Sequence, residues 1–484
     1  MQGDFSRLTF DPKKHYRSVR MQQGRVQLDA DWNEQIDILN HYFEAQFRDL
    51  LGPGGAGAAT AGFEILAIDG AQQPADATQN NPQEHKPALQ DLLIKQGNYY
   101  IDGMLCENEQ DVLFSQQPYL PKAEIPPTLS GWNIVYLDAW QRHVTAFEDA
   151  SLREIALGGP ETTTRIQMIW QVKLLPVAHQ HSTELLASEK DIASEKITEL
   201  SEWREMLHRR TSTARLAARH VSNSSIVDNR LYRVEIHHLH HHKASFKWSR
   251  ENGSVVFGVE KILSYEKREN GLAQSVVILN DSSQDVTQLQ KGDWVEFIYD
   301  DVTLHGHTLP LYQITRISQT AQRQVTLTGR YTHTLANLAQ TTAGTLLIRR
   351  WDHSQATPPE QDSGTYPVLE DSWIDLEHGI QIRFSPGGTY KIGDYWLIPA
   401  RTLSNDIEWP VETNAPLARL PQGVDHHFCP LGLIHPHKHH IVIKDLRRLF
   451  APLPALTEQM ISMRRPEEIK TEIIEQIEIV ERNV

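Results

Sequence analysis

Histidine is the residue type whose number and spacing most favour chemistry in this sequence. Several of the 24 histidines fall into three clusters: His237, His238, His240, His241 and His242; His426 and His427; and His435, His437, His439 and His440. Imidazole is a good ligand for zinc, nickel or copper, and the second and third clusters are the better candidates. Because no Cys-x-x-Cys pair accompanies them, we expect no native metal site and no cofactor.

Neighbouring carboxylates offer a second chemistry. Glu148, Asp149 and Glu154 follow a predicted strand, and two acids placed across a sugar ring can hydrolyse a glycosidic bond. A solvated turn explains the same cluster. The sequence contains no phosphate-binding loop ending in Lys-Ser/Thr, no Gly-x-Ser-x-Gly elbow and no His-Glu-x-x-His helix. We therefore expect a protein that is not an enzyme, with a metal- or carboxylate-dependent hydrolase as an alternative.

Charge and composition exclude further classes. The 484 residues include 47 Lys and Arg against 62 Asp and Glu, a net charge of −15, which argues against nonspecific nucleic-acid binding. No run reaches the roughly 18 apolar residues of a membrane helix, and the first residues lack the apolar core of a signal peptide. Cys106 and Cys429 are too few for a disulfide framework. These features predict a cytoplasmic protein that does not bind nucleic acid.

Hydrophobic patterning predicts the elements that position these residues. Short alternating runs bounded by turn residues favour a mainly β, multi-domain α+β fold with several small barrel-like or sandwich-like units, an N-terminal helix and a helical insertion. The predicted units are an extended arm plus amphipathic helix (1–52), a β-rich domain (53–181), a helical insertion (182–222), a β-barrel-like domain (223–350), a third β-containing domain (351–452) and an acidic amphipathic tail (453–484).

The N-terminal helix has the clearest pattern. Asp31 is predicted as its N-cap, with Glu34 at the capping-box position. Apolar residues then recur at helical spacing, at Trp32, Ile36, Leu39, Phe43, Phe47 and Leu50. This face either packs on its own domain or belongs to an arm that docks on a neighbouring subunit. The predicted protein-contact residues are Phe5, Arg7, Trp32, Ile36, Leu39 and Phe43 in the arm and helix, and Ile473 and Ile477 in the tail.

Four sequence blocks are familiar as a set. They include Met-Gln-Gly-Asp-Phe-Ser-Arg (1–7) with the segment 19–34, Leu-Gly-Gly-Pro-Glu-Thr (157–162), Leu-Tyr-Arg-Val-Glu-Ile-His (231–237) and Gly-Asp-Tyr-Trp-Leu-Ile-Pro-Ala-Arg (393–401). Over roughly residues 1–450 the chain resembles a family of unknown-function proteins encoded in bacterial extracellular contractile injection system clusters, beside phage-tail-like baseplate and sheath genes. The resemblance carries no catalytic residues that could be transferred.

The resemblance implies membership of a particle. We expect a structural subunit at the baseplate or its periphery, with baseplate or sheath components as partners and self-association as a symmetric ring or collar. Such a subunit would be made in the cytoplasm and end up extracellular or membrane-associated with its particle. Membrane attachment itself is left open. A carbohydrate- or receptor-binding adhesin, or a fibre-attachment module, is the alternative.

Overall fold

The described part of the chain is dominated by short strands. The computed structural model describes residues 2–68, 91–121, 125, 131–178, 197–221, 223–240, 243–269, 271–280, 289–304, 306–318, 323–338, 345–354, 359–360, 363–437 and 440–451. Strand makes up 45% and helix 15%, and one barrel closes beside several small sheets. The predicted fold class is confirmed.

Helices contribute four short or isolated elements in the described residues. They are α1 Asp29–Leu51, α2 Ser201–Arg209, α3 Asp300–Leu304 and α4 His333–Leu338. The predicted N-cap Asp31 is wrong, because α1 begins three residues earlier than predicted, with Leu28 as its N-cap and without a side-chain cap. Glu34 does not close a capping box, since its carboxylate accepts a hydrogen bond from the Thr9 hydroxyl instead.

The first nine strands surround the N-terminal core and lead into the centre of the chain. They are β1 Gly54–Gly57, β2 Ile65–Ala67, β3 Leu92–Ile94, β4 Gly97–Ile101, β5 Met104–Asn108, β6 Val112–Leu113, β7 Asn133–Val144, β8 Arg165–Pro176 and β9 Leu216–His220. The long strands β7 and β8 pair along their whole length, from Asn133 opposite Pro176 to Val144 opposite Arg165. Strand β9 lies within the segment predicted as a helical insertion, after α2.

The next eight strands include the barrel. They are β10 Arg230–His240, β11 Lys243–Ser249, β12 Val256–Lys267, β13 Leu272–Leu279, β14 Trp294–Tyr299, β15 Leu311–Ser318, β16 Gln324–Arg330 and β17 Leu346–Trp351. A closed barrel forms in the order β12-β13-β16-β15-β14-β17. Strand β13 alternates half-buried and buried residues, which is the pattern of a strand with one face toward a barrel interior. The barrel core includes Phe257, Val277, Phe297, Ile314 and Leu327.

The last ten strands return to sheets begun earlier. They are β18 Tyr366–Pro367, β19 Ile374–Asp375, β20 Ile380–Phe384, β21 Tyr395–Arg401, β22 Asp406–Ile407, β23 Val411–Glu412, β24 Ala415–Pro416, β25 His426–His437, β26 His440–Asp445 and β27 Leu449–Phe450. The central sheet has the order β18-β11-β10-β21-β22, and a smaller sheet has the order β19-β20-β9. Their shared core contains Trp248, Phe246, Phe384 and Trp396.

Strand pairing connects segments that are distant in sequence. The C-terminal strands complete the N-terminal sheets in the orders β26-β25-β7-β8 and β27-β1-β4-β5, while β2, β3 and β6 form a third sheet there. Strand β27 runs parallel to β1, with Leu449 opposite Ala56. This pairing places the end of the described chain beside β1, the strand that follows α1.

Candidate protein-contact surface

Helix α1 carries a continuous apolar stripe that faces solvent. Its six side chains are Trp32, Ile36, Leu39, Phe43, Phe47 and Leu50, hereafter the α1 stripe. Trp32 is 62%, Phe43 57% and Leu50 77% exposed. The buried residues of the helix are Ala30 and Ile38, on a different face. A surface helix usually turns its apolar face toward the core, so this helix is oriented with its most apolar face outward.

The N-terminal arm occupies the polar side of α1. Ser6 donates from its backbone N–H and its hydroxyl to the Asp29 carboxylate, at 2.9 and 2.7 Å. Thr9 Oγ1 donates to Glu34 Oε2 at 2.6 Å. Burial opposes ionisation of Asp29, but the hydrogen bonds from Ser6 outweigh it and lower the pKa of that carboxyl. These contacts hold the arm on its own helix.

The start of the arm is anchored in the body of the protein. Gly3 exchanges hydrogen bonds with Asn252, whose carbonyl accepts from the Gly3 N–H at 3.2 Å and whose side-chain amide donates to the Gly3 carbonyl at 2.9 Å. Gln2 Nε2 donates to the buried Glu235 at 3.1 Å. The described arm therefore contacts its own chain.

Two predicted contact residues take part in this anchoring. The ring of Phe5 is half-buried and lies edge-on to His143, with centroids 6.0 Å apart. Arg7 Nη1 lies 3.1 Å from Glu408 Oε1, and both side chains are more than a third exposed. The structure thus places Phe5 and Arg7 against the same chain. The other predicted pair, Ile473 and Ile477, lies outside the described residues.

The C-terminal half of α1 is held by a β-turn. Gly103 has a φ of +89°, and a Cβ there would lie 2.2 Å from the Glu44 carbonyl oxygen, so only glycine allows the turn to approach the helix this closely. Arg48 Nη2 donates to the Asp102 carbonyl at 3.2 Å. His427 Nδ1 lies 2.7 Å from the Asp102 carboxylate. The α1 stripe is therefore presented on a helix fixed at both ends.

Comparison with known proteins gives a family. A model for a family of unknown function, DUF6519, matches residues 1–199 and 216–441. The chain belongs to the DUF6519 family. No curated protein and no solved structure matches it. None of the described helices of this DUF6519 chain is both long and apolar enough to cross a membrane.

A second apolar projection lies between β7 and β8 of the DUF6519 chain. Ile155 is 87% and Leu157 69% exposed, in a 3-10 turn. Glu154 caps the turn by accepting from the Ala156 N–H at 3.0 Å, and Gly158 ends it in the left-handed conformation. These two residues are not among the contact residues predicted from the sequence. Their signal was present, because two apolar residues stand between turn-forming residues in the segment 154–160.

The carboxylates considered for catalysis are engaged with local backbone. Glu148 accepts from the Thr145 N–H at 2.9 Å, and Asp149 accepts from the Ser151 N–H at 3.0 Å. Glu154 caps the turn described above. Each carboxylate stabilises a turn in the loop that joins β7 to β8.

Of the described histidines in the three predicted clusters, His426 and His427 pair with acids and His237 lies buried, whereas His238 and His240 are exposed. His426 Nδ1 lies 2.6 Å from the buried Asp138, which also accepts from Lys173 Nζ at 3.0 Å and Arg210 Nη1 at 3.1 Å. Burial alone would raise the pKa of Asp138, but the opposing effects of His426 and the two cations are larger, and the pKa is lowered. Burial lowers the pKa of His237 well below its usual range. Among the described residues, no group of three or more His, Cys, Asp and Glu is arranged to hold a metal ion.

A buried ion cluster joins the central sheet to the barrel. Lys247 Nζ lies 2.5 Å from Glu296 Oε2 and 3.3 Å from Glu235 Oε1. Trp351 donates from its indole N–H to Glu296 at 2.8 Å. Burial raises the pKa of Glu235, but Arg233 and Lys247 outweigh it and lower that pKa to about 2. These side chains come from β10, β11, β14 and β17, and the cluster is a structural connection between the sheet and the barrel.

Proposed function

We propose that this protein is a structural subunit of a contractile injection particle, at its baseplate or periphery, and that it acts through protein–protein contacts. The observation that carries the proposal is the α1 stripe, an apolar helical face fixed by polar contacts yet exposed along five turns. Contiguous apolar surface of this kind on a folded protein marks an interaction site.

Energetics favour a protein partner for this surface. Full burial of one large apolar side chain contributes about 1.5–3 kcal/mol, so covering six side chains that are roughly half exposed contributes on the order of 5 kcal/mol. Trp32 and Phe43 are among the most exposed members, and aromatic residues are frequent binding hot spots. A rigid helix also loses little conformational entropy on binding.

The particle assignment rests on the sequence resemblance. Two of its blocks coincide with exposed apolar surface: the segment 19–34 contains the start of α1 with Trp32, and the segment 157–162 contains Leu157. Core packing does not account for the exposed apolar residues in these two blocks, which supports a contact with another protein. The partners in this proposal are baseplate or sheath components and further copies of the chain.

The test is electron cryo-microscopy of particles purified from the native host. Particles would carry the wild-type chain, the variant Trp32→Glu, or the control Leu403→Glu, which places a charge on a fully exposed leucine far along the chain. We expect additional density with the wild-type chain and the control, and its loss with Trp32→Glu. Complete particles that contain none of these chains would contradict the structural function and favour an adhesin or an independent factor.

A further inference from the structure

We infer that the α1 stripe is covered by the α1 stripe of a second copy of this chain. The inference rests on the proposed function, because it names the partner for the same surface. There are three candidate partners for this surface. They are a second copy of the chain, a helix of another protein whose flanking positions are charged, and the C-terminal segment 453–484 of the chain itself. The residues that border the stripe decide among them.

The stripe has the spacing of a helix-pairing seam. The seam positions are separated by alternating steps of four and three residues. They are Trp32, Ile36, Leu39, Phe43, the polar Gln46 and Leu50. This is the a/d pattern of a heptad repeat, in which each apolar residue inserts between residues of a facing helix. The seam therefore fits another helix of about the same length.

The positions that flank the seam are almost free of charge. They are Asn33, Gln35, Asn40, Tyr42, Phe47 and Asp49. In paired helices these flanking positions set partner choice through opposite charges. A partner helix with charged flanking residues would meet an opposite charge at one of these positions at most. A second copy of α1 would bring amides, aromatic rings and a single carboxylate to them.

The acidic residues of α1 lie mainly on other faces. Glu34 is bonded to Thr9 of the arm. Asp37 and Glu44 are half-buried, and burial raises the pKa of both carboxyls. Two copies can thus approach through their stripes although each chain carries a net charge of −15, since charge at longer range is screened at physiological ionic strength.

The C-terminal segment is a poorer occupant by the same criterion. Residues 467–484 contain six glutamates against one lysine and one arginine. The α1 residues that flank the stripe offer no cation to these glutamates. Segment 453–484 nevertheless follows Phe450, close to the end of α1, and the test below includes it as a competing outcome.

The expected affinity is modest. A helix of 23 residues is about 34 Å long, and a single helix face covers less than the roughly 800 Å² that each partner of a standard interface buries. We therefore expect micromolar self-association of the isolated chain. In a particle, additional contacts between neighbouring subunits would raise the effective affinity.

Analytical ultracentrifugation of the full chain tests the inference. We expect the mass to rise with concentration from 55.3 kDa toward twice that value, to remain monomeric in Phe43→Glu, and to rise as in the wild type in Leu403→Glu. Thermal unfolding of each variant verifies its fold. Because the flanking positions carry a single carboxylate, Asp49, and no cation, a tenfold increase in salt should leave the association unchanged or stronger.

Three results would overturn the pairing. One is a wild-type chain that stays monomeric at all concentrations, and another is association that high salt abolishes. A third is a chain truncated after residue 451 that associates while the full chain does not, because segment 453–484 would then be the occupant. If the isolated chain is monomeric and Trp32→Glu is still lost from particles, the pairing fails and the proposed function stands with a different partner.

Discussion

At the residue scale, Lys247 is the charge on which the buried ion cluster depends. Its ammonium lies between Glu235 and Glu296 and over the ring of Trp351, 4.3 Å from the centroid. Removing one partner of a buried ion pair leaves an uncompensated charge and costs about 3–5 kcal/mol. We expect Lys247→Ala to lower the free energy of unfolding by this amount in a denaturant titration.

Lys261 provides the matched control for this substitution. It lies on the barrel strand β12 with an exposed side chain, and exposed substitutions usually change stability by less than about 0.5 kcal/mol. Equal effects of Lys247→Ala and Lys261→Ala would mean that the cluster does not hold the sheet to the barrel. The double variant Lys247→Ala with Glu296→Gln should recover part of the loss, since it removes one of the unpaired carboxylates.

His143 makes stability depend on pH. Burial, followed by the charges of the N-terminus, Arg349 and Arg233, lowers the pKa of His143 from 6.5 to about 4. As pH falls below 6.5 the unfolded chain takes up a proton that the folded chain refuses, so stability present above pH 6.5 is lost progressively down to pH 4. Between pH 7 and pH 5, we expect the free energy of unfolding of His143→Gln to fall by about 1–2 kcal/mol less than that of the wild type.

Chemical denaturation at pH 7 and pH 5 measures this difference. The control is His208→Gln, at an exposed position on α2, which should retain the wild-type difference between the two pH values. An unchanged difference in His143→Gln would mean that other groups carry the acid sensitivity. Sequence analysis identified clusters of histidines, but His143 stands outside them. Its acid sensitivity arises first from burial and then from charges such as those of Arg349 and Arg233, which are distant in sequence and reach it only in the folded chain.

At the element scale, α1 has one buried and one exposed apolar face, and the two contribute differently to the stability of the fold. Ile38 is fully buried, whereas Phe43 is 57% exposed. Truncating a buried isoleucine costs about 2–5 kcal/mol, while an exposed side chain contributes little to folding. We expect Ile38→Ala to lower the melting temperature of dilute, monomeric protein by several degrees and Phe43→Ala to leave it nearly unchanged.

Equal destabilisation by the two substitutions would mean that the α1 stripe packs within the monomer. The helical period of Trp32, Ile36, Leu39 and Phe43 was sufficient to predict the stripe and the helix. It could not show which way the stripe faces, because a periodic face fits a core and an interface equally well. The start of α1 was mispredicted for a related reason, since Asp29 is fixed by the distant Ser6 rather than by a local cap.

At the scale of the whole molecule, several sheets pair strands that are distant from each other in the sequence. Local patterning predicted the strands, the mainly β class and the barrel, whose six strands are contiguous in the chain. It could not predict that β25 pairs with β7, with Cys429 opposite Leu137. Pairing between segments nearly 300 residues apart leaves no local signal, because either strand would look the same beside another partner.

This difference predicts which fragments fold alone. A fragment of residues 254–352 contains every strand of the barrel, and its core residues come from within the fragment. A fragment of residues 53–181 lacks β25, β26 and β27, so its core loses Leu431, Ile434 and Ile441 and two of its sheets lose strands. We expect cooperative thermal unfolding and dispersed amide resonances for the barrel fragment and neither for the other.

Because the two fragments have comparable length, size alone cannot explain such a difference. A folded 53–181 fragment would show that the C-terminal strands are added to a sheet that is already stable. An unfolded 254–352 fragment would show that the barrel depends on contacts with the rest of the chain.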